Sequence, residues 1–287
     1  MICGLLSVIA ASILFGFLPG IIKILQSNGL PDTILVGMNF TFSFLFYAII
    51  TTIQRKKIQH LSSKSSLFFM LFSGLIGMGL VSSLLTSSYH YIPTGTATLI
   101  HFTYPVIVTL LMIFLFHESF SLRILAACIL SICGMMFITD FSFSSNGYGI
   151  LLSFLSGIFY ALYIIMNDKA NFSHLHLGLK MMCQSLGAIL LSAVQIIFLP
   201  VNPFSFSPIH FFLIAVCGLI NGSAFLLLTY GIKKIGSSKA AFACMLEPVT
   251  SVLCGVLFFH DRLKLSTLTG ILLILISMIM VQQKKSI

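Results

Sequence analysis

The chain has 287 residues, of which 58% are apolar or aromatic, 7% are charged and none is Trp, and its mean hydropathy is +1.11. Soluble domains carry roughly 25% charged residues, so fifteen basic and six acidic side chains cannot cover a protein of this size in water. The bilayer is therefore the implied solvent, which excludes a soluble enzyme and, despite the net charge of +9, a nucleic-acid-binding module lacking any folded basic face.

Charge, Gly, Pro and Asn divide the chain into ten apolar runs, at about 3–25, 33–53, 66–88, 95–116, 122–139, 147–167, 178–198, 208–230, 239–259 and 266–283. The first lacks a basic leader and exceeds the roughly 7 to 15 residues of a signal-peptide core, so it reads as a span. Lys23, near its end, either snorkels to the interface or meets an anionic solute. The second run carries Asn39 and Ser43, and in the third Gly74, Gly77 and Gly79 allow close approach to neighbours. His101 and Tyr104 lie in the fourth, just before Pro105. Tyr160, Tyr163 and Asn167 lie in the sixth, where the two tyrosines beside Phe159 form an aromatic wall. Gln184 lies in the seventh and Asn221, followed by Gly222, in the eighth.

Runs such as Ile189–Leu191 and Ile271–Ile276 do not alternate, so helices rather than barrel strands are expected. The seven cysteines show no CxxC pair and no metal-ligand spacing, and read as buried free thiols. No motif calls for a cofactor or metal, and the lack of a nucleophile elbow, phosphate loop or paired carboxylates argues against an enzyme.

The basic residues read as topology signals. With the N-terminus cytoplasmic, the inner side holds Arg55, Lys56, Lys57, Lys64, Arg123, Lys169, Lys180, Lys233, Lys234, Lys239, Lys284 and Lys285. The outer side holds Lys23, Arg262 and Lys264. This bias predicts a multi-pass protein of the inner (plasma) membrane with both ends inside.

Offsetting the sequence by half its length aligns Ala97 with Ala240, Pro105 with Pro248, Leu110 with Leu253, Phe116 with Phe259, His117 with His260, Glu118 with Asp261 and Leu122 with Leu265. Two five-helix halves follow, residues 1–143 and 144–287. Five is odd, so the second half enters the membrane upside down, and the loop charges partly swap as that requires. The expected fold is all-α integral membrane, ten transmembrane helices as two inverted five-helix repeats.

Glu247 is the sharpest feature, an acid well inside the ninth run. A carboxyl at that depth must be paired, face a polar interior or carry a proton. Loading and releasing a proton near neutral pH is what a proton-coupled carrier asks of such a group; a neutral Glu locking the helices is the alternative. Ala240, Cys244, Glu247, Ser251 and Cys254 form one weakly polar stripe, matched in the fourth run by Ala97, His101, Tyr104, Val108 and Leu111, which makes His101 the candidate partner of Glu247. Pro105 and Pro248 free the carbonyls of His101 and Cys244, suggesting paired kinks. The pairs His117–Glu118 and His260–Asp261 read as turn and cap positions, with Ser121 or Ser266 capping the next helix.

The tract Ala243–Val249, with Gly255, Phe258–Leu263 and Gly270, resembles the second EamA domain of the drug/metabolite transporter superfamily. Tyr104–Val106, Phe116–Ser121 and Gly134 repeat it more faintly. The resemblance implies ten helices around a central cavity and transport of a small organic solute, such as export of an amino acid or related metabolite. Asp261 stands where the family usually has Glu, and Phe15 where an aromatic, often Trp, closes the first span.

The expected function is a secondary transporter working by alternating access, with the bilayer, a small-molecule solute and protons as partners. The solute-binding candidates are Glu247, His101, Tyr104, Asn39, Tyr160, Tyr163 and Asn221. A passive channel or facilitator, or a membrane scaffold, are the alternatives.

Overall fold

The computed structural model describes residues 2–54, 64–119, 121–139, 146–169, 176–198, 207–259 and 263–282. Arg55, Lys56, Lys57, His260, Asp261, Arg262, Lys284 and Lys285 lie outside the described residues. Ten apolar helical units follow: α1 Ile2–Ser27, α2 Asp32–Ile53, α3 Ser65–Ser88, α4 Thr94–Phe116, α5 Leu122–Ile138, α6 Gly147–Lys169, α7 Leu177–Phe198, α8 Pro208–Ile235, α9 Ser237–Leu257 and α10 Leu265–Gln282. No strand occurs among the described residues. In hydrocarbon every backbone polar group must be satisfied within its own segment, which leaves the helix as the only open-ended solution. All but α5 exceed 17 residues, and α5, with 17, sits at the lower end of the roughly 17 to 25 needed to cross a bilayer.

The perimeter confirms the solvent. Phe198 is 78% and Leu265 80% exposed, a display of large apolar side chains that only lipid tolerates. Buried hydroxyls instead return to carbonyls of their own helix, as Ser12 Oγ donates to the Val8 carbonyl and Thr109 Oγ1 to the Pro105 carbonyl, both at 2.8 Å.

The two halves are inverted repeats. The main packing pairs have their images when a helix is exchanged for the one five places on: α1 on α8 matches α6 on α3, α1 on α9 matches α6 on α4, and α2 on α8 matches α7 on α3, while α2 packs on α7 and α5 on α10. The opposite sense of α1 and α6 follows from their ends. Gly4 near the start of α1 meets Lys234 and Ile235 at the end of α8, and Asp168 at the end of α6 bonds Ser237 at the start of α9. This end, where α1 begins, is called the near end, and the one carrying the α1–α2 and α3–α4 turns the far end.

The repeat axis is also visible in two broken helices. α4 divides into Thr94–His101 and Tyr104–Phe116, and α9 into Ser237–Ala243 and a second half that begins at Leu246. Pro105 and Pro248 each lack an amide donor and crowd the preceding turn, so both helices break just before the proline. The paired kinks expected from sequence are therefore present.

The glycines of α3 pack as expected. An added Cβ at Gly74 would fall on the backbone of Gln184 in α7, and at Gly77 on the ring of Tyr163 in α6. Directly after Gly74, α3 widens into a π-helical stretch, Leu75–Leu80, that contains Gly77, a local expansion that bends a helix.

Several expectations are corrected. Lys180 is not a loop charge: it lies in the first turn of α7 and is buried. Cys3 is exposed, although Cys128, Cys217 and Cys244 are buried and all seven thiols are free. Ser121 caps α5, accepting from the Ile124 amide, but Ser266 lies inside α10 rather than ahead of it. Glu118 does not serve α5: its carboxylate accepts from Ser238 Oγ at 2.9 Å, at the start of α9. His117 closes α4 in the left-handed region at φ 54°, and the turn it makes turns Glu118 toward α9 rather than along its own chain.

Candidate functional site

The breaks in α4 and α9 place Tyr104 and Glu247 at equivalent points, each one residue before its proline and in the first turn of the second half-helix. Between them and α1, α2, α3, α6 and α8 lies a cavity of about 120 Å³. Glu247, His101, Tyr160, Asn39 and Asn221 line it, with Phe15, Phe40, Tyr89 and Phe225 supplying rings. Five of the seven residues singled out from sequence therefore meet in one chamber. Tyr104 and Tyr163 stand behind its wall: both are fully buried, and Tyr104 stacks edge-on against Tyr160 at 4.8 Å while Tyr163 lies parallel to it at 6.1 Å.

These rings belong to a continuous aromatic partition. His101 is 5.4 Å from Tyr160, Tyr163 is 5.7 Å from Phe225, and Phe225 is 5.1 Å from Phe15 and 6.2 Å from Phe40. The aromatic wall expected on α6 thus extends over five helices. Tyr89, Phe225 and Thr86 were missed, because ordinary residues within apolar runs carry no distinguishing pattern.

Glu247 makes no side-chain hydrogen bond within the described structure. His101 is not its partner, as the sequence suggested. Instead Ser156 Oγ donates to the Ser153 carbonyl at 2.6 Å, and the His101 Nδ1 lies 2.8 Å from the same oxygen. That hydroxyl has spent its proton, so Nδ1 is the donor and Nε2 keeps the lone pair, an assignment drawn from the network. Asn221 Nδ2 donates to Asn39 Oδ1 at 2.7 Å across α8 and α2, which leaves both amide N–H groups of Asn39 and the second N–H group and carbonyl oxygen of Asn221 for other partners. The Tyr104 hydroxyl is buried and has no nitrogen or oxygen partner among the described residues.

The polar stripe along α9 does not serve one cavity. Glu247, at the start of the second half-helix, lines the chamber, while Ser251 and Cys254, further along the same half-helix, line a separate groove of about 690 Å³ with Lys23, Gly16 and Gly20 of α1. Lys23 is exposed at its rim, as snorkelling requires. No Lys or Arg lines the central chamber.

The two ends of the chamber differ. Towards the far end it is lined by Leu35, Ser82, Thr86 and Tyr89 of α2 and α3. There Asp32 accepts from Gln26 Nε2 at 2.8 Å and pairs with His90 Nε2 at 2.9 Å. Towards the near end a polar cluster of α3, α6 and α7 lies beneath Tyr163: Tyr163 Oη donates to Gln184 Oε1, Gln184 Nε2 donates to Ser73 Oγ and Asn167 Oδ1, and Asn167 Nδ2 donates to the Tyr163 carbonyl. Below it, the backbone amide and hydroxyl of Ser237 donate to Asp168 Oδ2 at 3.1 and 2.9 Å, tying the start of α9 to the end of α6. Among the described residues no group of three or more His, Cys, Asp or Glu is arranged to hold a metal.

The comparisons agree with this architecture. The uncharacterized transporter YoaV of Bacillus subtilis (strain 168) is 23% identical over 283 residues, 96% of this chain and 94% of YoaV. The uncharacterized transporter YvbV of the same organism is 25% identical over 269 residues, covering 88% of this chain and 83% of YvbV. A solved crystal structure superimposes with a TM-score of 0.79 at 17% identity, covering 97% of both chains, a likeness of fold. The EamA-like transporter family matches twice in tandem, at residues 2–140 and 147–282. Nearly the whole of this ten-helix membrane protein is therefore accounted for by two copies of one unit, and the chain belongs to the EamA-like transporter family of the drug/metabolite transporter superfamily.

Proposed function

We propose that the protein is a secondary carrier that moves a small organic solute by alternating access, with Glu247 coupling solute movement to protons. The observation that carries this reading is a chamber at the repeat axis, lined by one unpartnered carboxylate and bounded differently at its two ends. Two inverted halves can exchange conformations, and the exchange moves the closed end from one side of the site to the other. Residues 1–143 and 144–287 are the two units that exchange.

Counterflow in proteoliposomes tests the carrier mechanism against a passive pore. The expected result is accelerated uptake of labelled solute into vesicles preloaded with unlabelled solute; a pore gives no such acceleration.

Release of the Asp168 bond is the step that opens the near end in this scheme. Hydrogen bonds to a charged group contribute roughly 1.5 to 3 kcal/mol each. Asp168→Ala, in a chain whose only thiol is Cys244, is expected to raise labelling of that buried thiol from the near side at least about tenfold. An unchanged rate rejects Asp168 as a latch.

The protein sits in the inner (plasma) membrane with the near end cytoplasmic, since Arg123, Lys169, Lys233, Lys234 and Lys239 all gather there. Reporter fusions after Arg55 and after Pro203 are expected on opposite sides; both on one side overturns this topology.

A further inference from the structure

We propose that the central chamber selects small organic ammonium ions over zwitterions, anions and neutral isosteres. The inference rests on the carrier reading above and adds the charge class of its solute. It starts from the polar inventory of the wall. Glu247 is the only acidic residue among the lining residues, and no Lys or Arg accompanies it. The cations of neighbouring helices are placed elsewhere: Lys23 is exposed in the separate groove beside α1, Lys180 belongs to the first turn of α7, at the near end beyond the Gln184 cluster, and Lys169, Lys233, Lys234 and Lys239 belong to the near ends of α6, α8 and α9. A solute carboxylate entering the chamber would meet like charge and no counter-ion, which is costly in a low-dielectric site.

The remaining wall offers further groups that can receive a cation. The hydrogen bond from the His101 Nδ1 to Ser156 leaves Nε2 as a lone-pair nitrogen, and the Asn221–Asn39 bond leaves the Asn221 carbonyl oxygen as an acceptor beside the neutral amide N–H groups of the two asparagines. Phe15, Phe40, Tyr89, Tyr160 and Phe225 supply aromatic rings, whose quadrupoles attract a cation when water is excluded. At about 120 Å³ the space is well below the roughly 300 to 1,000 Å³ of pockets that take drug-sized ligands. The ligand that fits is a compact ammonium ion with a short apolar body, its charge at Glu247 and its carbons against the rings.

Four probes built on one branched centre separate the classes: tetramethylammonium, betaine, pivalate and neopentyl alcohol. Binding to the full-length protein in detergent is read by thermal stabilisation, and movement by counterflow in proteoliposomes. Tetramethylammonium is expected to bind at least about tenfold more tightly than the other three and to exchange in counterflow. Glu247→Gln is expected to lose that binding while Glu247→Asp retains part of it. The proposal is overturned if betaine, pivalate or the alcohol binds as well as tetramethylammonium, if Glu247→Gln binds it unchanged, or if it does not bind at all. Binding without counterflow keeps the ammonium site and rejects the carrier reading. Counterflow of betaine or pivalate with tetramethylammonium excluded does the reverse.

Discussion

Replacing Glu247 by Gln is expected to abolish flux driven by a pH gradient, by at least about tenfold, the factor that about 1.4 kcal/mol of lost coupling produces. Gln has the same shape and cannot load a proton, so the change removes one capability with little effect on packing. The other acids of the described structure have partners at the ends of the bundle: Asp32 with Gln26 and His90, Glu118 with Ser238, and Asp168 with Ser237. Glu247 alone lines the chamber, so no neighbouring carboxylate can substitute for it. When ionised, Glu247 is an unpartnered charge removed from water, which costs folding energy, and Glu247→Gln is accordingly expected to raise the melting temperature in detergent at alkaline pH. Higher stability with lost pH-driven uptake assigns Glu247 to coupling. Unchanged uptake under a pH gradient removes it from that role.

The largest expected loss of stability comes from Gly74→Val or Gly187→Val. α3 and α7 cross so closely that each glycine faces the other helix's backbone: a Cβ at Gly74 falls on Gln184, and one at Gly187 on the Leu71 carbonyl and 2.8 Å from the Leu75 nitrogen. Overpacking usually costs about 1 to 3 kcal/mol, relieved by side-chain rotation. Backbone cannot rotate away, so the cost here is expected at or above the top of that range, and each variant should fail to give a monodisperse peak in size-exclusion chromatography. Gly147→Ala is the control. Its Cβ would meet nothing within 4 Å, and Ala at a helix start is expected to be neutral or slightly stabilising. Normal elution of Gly74→Val would mean that the crossing can open.

The residues legible in advance were those whose chemistry is out of place in lipid. Asn39, His101, Tyr160, Asn221 and Glu247 line the chamber, and polarity within an apolar run was signal enough to find them. Their partnerships were not legible. The spacing puts Glu247, Ser251 and Cys254 on one stripe, but it does not say which neighbouring helices meet each turn of that stripe, and Glu247 lines the chamber while Ser251 and Cys254, further along the same half-helix, line the separate groove beside α1. Likewise His101 was matched to Glu247 through the repeat, but Ser156, three residues from Ser153 on α6, takes its Nδ1. Phe225, Tyr89 and Thr86 resemble dozens of other residues in the chain and are functional candidates only through what surrounds them.

The sequence by itself determined the solvent, the helical class, the duplication with its inversion and the positions of both kinks. Each of these follows from composition, run length or a proline, terms that act along the chain. Only the tertiary structure decided which polar groups share a chamber, which helix ends are tied together and which acid of the described residues is left without a partner. Those outcomes depend on rotations and crossings between helices from different repeats, such as the close α3–α7 contact, and a linear pattern of residues carries no record of them.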